Sequence, residues 1–229
     1  ARLCGGRERW GFNTPKSCWA WSHIVSYSWE KHVVDCYMDL IPGSDGAQPS
    51  PCFRLFPEAE DQAPVRDLLN DVSPAVVLGV TARKPSKHWA TTRWASVADH
   101  IADRGYHILI NGGPSERDYV EAIRSHMRTE ALSLAGRFSL LQSAELLKGS
   151  TCLVTIDSFP MHLGAAVRTP MVALFGPTCS RQWGPYPNGQ HSIVVQPPPE
   201  IPRNAEAMRW IQVHHVTEAF DRLLAEIDG

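Results

Sequence analysis

Residues 153–162 read LVTIDSFPMH, and the pattern of this stretch decides the fold. Leu153 to Ile156 is a short apolar run without regular polar alternation, which predicts a strand buried on both faces. Asp157 and Ser158 interrupt the run, and Met161 to Val167 then has the composition of a helix. A buried strand that leads into a helix across a polar turn is typical of parallel sheets.

The same unit recurs along the chain. Further apolar runs predict strands at Ala75 to Val80, Tyr106 to Ile110 and Met171 to Phe175, with a weaker one at Ala131 to Leu134. Helical segments are expected at Arg93 to Asp103, Glu116 to Met127, Leu140 to Leu147 and, closing the chain, Val213 to Ile227. We therefore predict an α/β fold, a Rossmann-like parallel sheet with helices on both faces.

The N-terminal part of the chain has a different organisation. Arg9 to Phe12 is expected to be extended and Ser28 to Leu40 helical, whereas Pro42 to Pro51 has the Gly, Ser and Pro content of a linker. Because the chain lacks an initiator methionine and enters an extended segment at once, we expect a fragment of a longer protein. The predicted domains are residues 1–50, the end of a preceding domain with its linker, and residues 51–229, the sheet domain.

Composition restricts the ligands that the protein can hold. Lys and Arg number 22 against 24 Asp and Glu, a formal net charge of -2. No global positive field exists to hold nucleic acid, so an anionic ligand must be bound locally. No apolar run approaches the length of a membrane span and no secretory leader precedes Trp10. We expect a cytoplasmic protein, with association at a membrane surface left open.

Six cysteines are scattered without the paired spacing of zinc sites or disulfide scaffolds, so reduced thiols are expected. Polar residues are concentrated instead where the predicted strands end. In parallel sheets ligands bind beyond the carboxyl ends of the strands, where helices begin. Four such ends carry reactive or charged side chains: Thr81 to Lys87, Asn111 to Glu116, Asp157 to His162 and Gly176 to Thr178.

The first strand end is cationic. Thr81, Arg83, Lys84 and Lys87 supply a hydroxyl and three positive charges at a strand-to-helix turn, which suits a diphosphate. For Arg83 and Lys84, solvated surface charges are the favoured interpretation. For Lys87, which lies beside His88, a role in ligand binding is favoured over that of a surface charge. The nearby tryptophans are expected in the core, at positions Trp89 and Trp94.

The second strand end combines glycines with a carboxylate. Gly112 and Gly113 permit a tight turn and a close approach of the backbone to a ligand. Ser115 can cap the following helix, and Glu116 can accept hydrogen bonds from both hydroxyls of a ribose. Alternatively, Glu116 only complements the dipole at the start of the helix.

The third strand end contains Asp157, Ser158 and His162. Asp157 can hold sugar hydroxyls or orient a lysine, while backbone amides after Ser158 receive a phosphate. A serine nucleophile is not expected, because the Gly-x-Ser-x-Gly turn is missing. Asp157 and His162 offer only two ligands, too few for a metal site. The alternative interpretation is a helix cap and a core histidine.

Taken in order, these motifs resemble the C-terminal domain of the family 9 glycosyltransferases, the lipopolysaccharide heptosyltransferases. The matching motifs are Lys87-His88-Trp89, Gly112-Gly113-Pro114 with Glu116, Asp157-Ser158 with Pro160-Met161-His162, and Phe175-Gly176-Pro177-Thr178. The resemblance spans roughly Pro74 to Gln196. A fainter likeness to the end of the family's N-terminal domain covers Arg9 to Phe12 and His32 to Leu40.

The resemblance implies a GT-B enzyme of two Rossmann-like domains, with inverting, metal-independent transfer of a heptose from an ADP-sugar to a glycan or lipid-linked acceptor such as lipopolysaccharide. Lys87 and Asp157 are the implied catalytic residues. The other implied contacts are Thr81, Arg83 and Lys87 for the diphosphate, Gly113 and Glu116 for the ribose, Arg137 and Phe138 for the adenine, and Asp157, Ser158, Phe159 and His162 for the sugar and phosphate.

This sequence departs from the family pattern at two positions. Phe159 replaces a glycine, and a bulky residue there is not expected to take a positive φ or to let a phosphate approach the backbone. Ala90 replaces a proline at the first helical turn, where proline is favoured but not required. The family's catalytic aspartate, near the start of the N-terminal domain, has no counterpart here, so binding without turnover is expected.

Two other functions are compatible with these motifs. One is a non-catalytic module that binds a nucleotide-sugar. The other is a different GT-B enzyme, such as an epimerase that uses a UDP-sugar. The order of affinities for ADP, UDP and GDP distinguishes the second from a heptosyltransferase.

Overall fold

The computed structural model describes residues 5–14, 18–41, 53–186 and 191–228. The chain divides into two compact units. The first runs to residue 51 and includes Arg181–Trp183; the second comprises the remaining residues. The predicted linker, Pro42 to Pro51, lies outside the described residues.

The first unit contains a pair of short parallel strands and a helix. Strand β1, Trp10–Phe12, pairs with β2, His23–Val25, and helix α1 covers Val33–Met38. The extended segment predicted at Arg9 to Phe12 is confirmed. The predicted helix, Ser28 to Leu40, is longer than α1 at both ends. At the start, Nδ1 of His32 accepts a hydrogen bond from the Val34 N–H at 3.2 Å and caps the helix, so α1 begins only at Val33.

The second unit is built on a parallel sheet. Six strands are described in the order β5-β4-β3-β6-β7-β8, and every neighbouring pair is parallel. The strands are β3 Ala75–Gly79, β4 His107–Asn111, β5 Ala131–Ser133, β6 Cys152–Ile156, β7 Met171–Leu174 and β8 Ser192–Val195. The helices are α2 Ala59–Val72, α3 Thr91–Ala102, α4 Arg117–Arg124, α5 Leu140–Gly149, α6 Phe159–Ala166, α8 Ala207–Trp210 and α9 Val213–Asp228. Between α6 and α8 the chain also forms α7, Ser180–Trp183, of which Arg181–Trp183 are assigned to the first unit.

The central strands are buried on both faces. All five residues of β3 and all five of β6 are buried. Successive side chains of a strand point to opposite faces, so Val76 and Leu78 belong to one core cluster and Val77 to the other. Helices α3 and α9 pack together on one side of the sheet, and α2 and α5 on the other. The predicted α/β architecture is confirmed.

The described cysteines, Cys36, Cys152 and Cys179, are free thiols. Cys152 lies in the central strand β6, and burial raises the pKa of its thiol to about 12. The reactive thiolate form is therefore suppressed at neutral pH. Within the described ranges, no helix is both long and apolar enough to cross a membrane.

Ala90 precedes α3 in a conformation that proline can adopt. Its φ is -59° and ψ is 135°, and its N–H has no backbone acceptor among the described residues. Proline fixes φ near this value and restricts the unfolded chain. We expect Ala90→Pro to raise the free energy of unfolding by about 0.4–1 kcal/mol, measured by urea denaturation. The control Ala95→Pro, inside α3, is expected to cost about 3 kcal/mol. A lower urea midpoint for Ala90→Pro contradicts the prediction.

Candidate functional site

A cavity of about 820 Å³ opens at the carboxyl edge of the sheet. The ends of β5, β4, β3 and β6 lie side by side there because these strands are parallel neighbours. Nine of the predicted site residues line the cavity: Thr81, Arg83, Lys87, Gly113, Glu116, Phe138, Asp157, Ser158 and Phe159. Three of the four strand ends named from the sequence, those after β3, β4 and β6, therefore line the cavity. The fourth, Gly176 to Thr178, does not line it but contacts it through the hydrogen bond of Thr178 to Asp157.

A partly buried ion pair lies in this cavity. Lys87 Nζ is 2.5 Å from Asp157 Oδ2 and 3.1 Å from the Asp157 carbonyl oxygen. Only 17% of the Lys87 side chain and 5% of the Asp157 side chain are exposed. The pair joins the loop after β3 to the loop after β6 across 70 residues of sequence. Asp157 Oδ2 also accepts a hydrogen bond from Thr178 Oγ1, from the loop after β7.

The loop that carries Lys87 is closed by a histidine. His88 Nε2 lies 2.8 Å from the Ala82 carbonyl oxygen, which ties the two ends of this loop together. Behind the loop, Trp89 and Trp94 are buried, as predicted. Tyr119 donates a hydrogen bond to the Trp89 carbonyl at 2.5 Å, and burial raises the pKa of its hydroxyl to about 12. Tyr119 therefore stays a hydrogen-bond donor at physiological pH.

The start of α6 borders the cavity. Ser158 is the N-cap residue, and its Oγ is buried without a hydrogen-bond partner in the described part of the chain. Pro160 lies in the first turn of α6 and has no N–H, so this turn offers fewer free backbone N–H groups to a ligand than other helix starts do. The amides near Ser158 and the positive end of the helix dipole nevertheless make this position favourable for an anion.

Phe159 does not need the backbone conformation of a glycine. Of the non-glycine residues described, only Arg168 has a positive φ, 64°. As expected of a bulky residue, Phe159 does not take a positive φ; it opens α6 with ordinary helical geometry. The expected effect of its side chain on the approach of a phosphate stays a prediction. Its side chain lines the cavity and is 53% exposed.

Glu116 helps to shape the glycine-rich turn after β4. Its Oε2 accepts a hydrogen bond from the Gly113 N–H at 2.6 Å, while no contact to Oε1 is found among the described residues. This contact supports the alternative interpretation, in which Glu116 stabilises the start of the helix. Because Glu116 also lines the cavity, its contact with a ribose stays a prediction.

The loop after β5 forms the wall opposite the ion pair. Gly136 has a φ of +72° and donates its N–H to the Gly112 carbonyl at 2.8 Å, which joins this loop to the turn after β4. Phe138 lines the cavity, whereas Arg137 is exposed and does not. The guanidinium of Arg137 lies 5.7 Å from the centre of the Phe138 ring.

His162 is exposed on α6 and is not a cavity residue, so its contact with the sugar and phosphate stays a prediction. Ten further cavity residues were not among the predicted contacts: Ala82, Lys84, Asn111, Gly112, Ser115, Ser139, Leu140, Ser143, Pro160 and Leu163. Thr178, which contacts the ion pair, was not among them either. Ser139, Leu140, Ser143 and Leu163 lie outside the four strand ends named from the sequence, whereas the others fall within them. Within the described ranges, no three His, Cys, Asp or Glu side chains come together as a metal site.

Comparison of the sequence with known families and proteins gives consistent matches. The model of glycosyltransferase family 9 (heptosyltransferase) matches residues 1–208. Lipopolysaccharide heptosyltransferase 3 of Escherichia coli K12 is 31% identical over 160 residues, which cover 66% of this chain and 46% of the relative. Lipooligosaccharide heptosyltransferase 2 of Haemophilus influenzae is 32% identical over 114 residues, which cover 48% of this chain and 33% of that relative. The chain thus spans less than half the length of these relatives.

Solved structures of the same kind share the fold. A family 9 glycosyl transferase from Veillonella parvula superposes with a TM-score of 0.83 at 22% identity, covering 96% of this chain and 68% of the other. The structure of ADP-heptose lps heptosyltransferase II of Escherichia coli superposes with a TM-score of 0.79 at 22% identity, covering 99% of this chain and 72% of the other.

Proposed function

Because the chain belongs to glycosyltransferase family 9, the heptosyltransferases, we propose that it is the donor-binding part of an enzyme that transfers a heptose from an ADP-sugar. The acceptor is a lipopolysaccharide-type or other glycan, and the transfer inverts the anomeric centre without a metal ion. The observation that carries the proposal is the partly buried Lys87–Asp157 pair beside the start of α6, inside a cavity large enough for a nucleotide-sugar.

In this proposal the diphosphate lies between Lys87 and the start of α6. Lys87 supplies a full charge that burial leaves little screened, and the helix adds its dipole. Thr81, buried at the end of β3, offers a hydroxyl to the same group. The buried, unpartnered Oγ of Ser158 supports this position, since a ligand oxygen there would satisfy it.

The order of the strands along the cavity supports one orientation of the bound ADP-sugar. Phe138 and Leu140 follow β5 and provide an apolar wall for the adenine, with Glu116 after β4 at the ribose. Asp157 and Phe159 follow β6, so the sugar lies at their side of the diphosphate. Because Asp157 lines the cavity and His162 does not, the carboxylate of Asp157 is the side chain proposed to contact the sugar.

The proposed reaction is a single displacement. An acceptor hydroxyl attacks the anomeric carbon from the face opposite the diphosphate, the bond from that carbon to the diphosphate oxygen breaks, and a base removes the hydroxyl proton. Negative charge grows on the departing diphosphate, where Lys87 and the start of α6 stabilise it, a role that a metal ion has in other transferases. The resemblance assigns the base to the N-terminal domain, so donor binding is the expected activity of these residues.

Calorimetric titration of the chain with ADP, UDP and GDP tests the proposal. ADP is expected to bind most tightly, and EDTA is expected to leave its affinity unchanged. A folded sample that does not bind ADP overturns the proposal. Tighter binding of UDP instead supports an enzyme that uses a UDP-sugar.

A further inference from the structure

The loop after β7 contacts the acid of the ion pair. Thr178 Oγ1 donates a hydrogen bond to Asp157 Oδ2, the same oxygen that accepts from Lys87 Nζ at 2.5 Å. One carboxylate oxygen therefore receives two donors, one neutral and one charged. The three residues come from the loops after β3, β6 and β7, so their contact depends on the folded sheet.

Thr178 is itself fixed in place. Arg203 Nη1 donates a hydrogen bond to the Thr178 carbonyl at 2.7 Å, and at the start of the same loop the Phe175 N–H donates to the Val195 carbonyl at 2.9 Å. These contacts hold the hydroxyl against the buried Asp157, whose side chain is only 5% exposed. A buried carboxylate with two good donors has little freedom to rotate.

The two donors have different consequences for a ligand. Lys87 is the charge that an anion would contact, while the Thr178 hydroxyl adds no charge to the site. The hydroxyl supplies one of the hydrogen bonds that Oδ2 accepts, so the carboxylate attracts the Lys87 ammonium less strongly. The same hydrogen bond keeps the carboxylate oriented toward the ammonium. The Lys87 ammonium is thereby held at one position with positive charge left for the ligand.

We infer that Thr178 is a positioning residue: its hydroxyl orients Asp157, and Asp157 in turn places Lys87 for the diphosphate. The inference rests on the proposed function and adds a residue that acts through the ion pair without touching the donor.

A double-mutant cycle on this chain tests the inference. Thr178→Val keeps the size of the side chain and removes the hydroxyl, and it is expected to weaken ADP binding about tenfold, the effect of one charge-assisted hydrogen bond. Thr178→Ser keeps the hydroxyl and is expected to stay within about threefold of the wild type. In a Lys87→Ala background, Thr178→Val is expected to change the affinity by less than about twofold, because the ammonium it positions is gone.

The outcomes separate failure of the Thr178 inference from failure of the proposed function. An equal loss on Thr178→Val with and without Lys87 overturns the inference, since Thr178 then acts directly on the ligand or on the fold. A loss for Thr178→Ser as large as that for Thr178→Val overturns it as well. If Thr178→Val does not fold, Thr178→Ala takes its place in the cycle. Failure of the wild type to bind ADP counts against the proposed function and is visible before any variant is made.

Discussion

Replacing Lys87 with alanine is expected to weaken ADP binding by roughly 10- to 150-fold, which corresponds to about 1.5–3 kcal/mol for a hydrogen bond to a charged group. The Lys87 side chain is only 17% exposed, and its ammonium lies 2.5 Å from Asp157 Oδ2. Its removal takes away the charge that faces the diphosphate. It also leaves the carboxylate of Asp157 unpaired beside an anionic ligand, so repulsion adds to the lost attraction.

Lys84 provides a matched control for this prediction. It lines the same cavity and lies in the same loop, but its side chain is exposed, so water and salt screen its charge. Lys84→Ala is expected to weaken binding by no more than about threefold. Calorimetry at low and at physiological salt measures both variants, with thermal unfolding to confirm that each is folded. Equal losses for the two lysines, or no loss for Lys87→Ala, contradict the assignment of the diphosphate position.

The sequence was most informative about the centre of the sheet. Strands β3 and β6 are buried on both faces, so they appear as continuous apolar runs whose positions can be read without knowing their partners. Strand β8 was missed. It lies at the edge of the sheet and its burial alternates over only four residues, Ser192–Val195, so its pattern is too short to distinguish it from a loop.

For the site, topology predicted which loops meet but not which atoms pair. The meeting of Lys87 with Asp157 follows from the shared edge of neighbouring parallel strands. The contact of Thr178 with Asp157 depends on the conformation of the loop after β7, which no periodic pattern encodes. The helix predicted from Met161 instead starts at Phe159. His162 is the fourth residue of this helix, about one turn from its start as expected, but which face of the helix meets the cavity depends on packing that the sequence pattern does not give.

Gly136→Ala is expected to destabilise the second unit by about 2–5 kcal/mol, for two separate reasons. The φ of Gly136 is +72°, a left-handed conformation that costs a residue with a Cβ about 1–2 kcal/mol. In addition, a Cβ at this position would lie 2.9 Å from the Pro114 Cα, and backbone cannot move aside as a flexible side chain can. Overpacking of this kind typically costs about 1–3 kcal/mol.

Gly105 separates the two causes. Its φ is +89°, but a Cβ there would meet no atom within 4 Å. Gly105→Ala should therefore show only the conformational cost, about 1–2 kcal/mol, and urea denaturation of both variants gives the steric cost by difference. Gly136 also joins the loop after β5 to the turn after β4, through its 2.8 Å hydrogen bond to the Gly112 carbonyl. Separation of these loops moves Phe138 and Leu140 away from Glu116. If the proposed positions of the adenine and ribose are correct, Gly136→Ala is expected to weaken ADP binding severalfold while Gly105→Ala leaves it unchanged. Equal stability losses for the two alanine variants would show that Pro114 yields to the new side chain and that this contact does not set the spacing of the cavity loops.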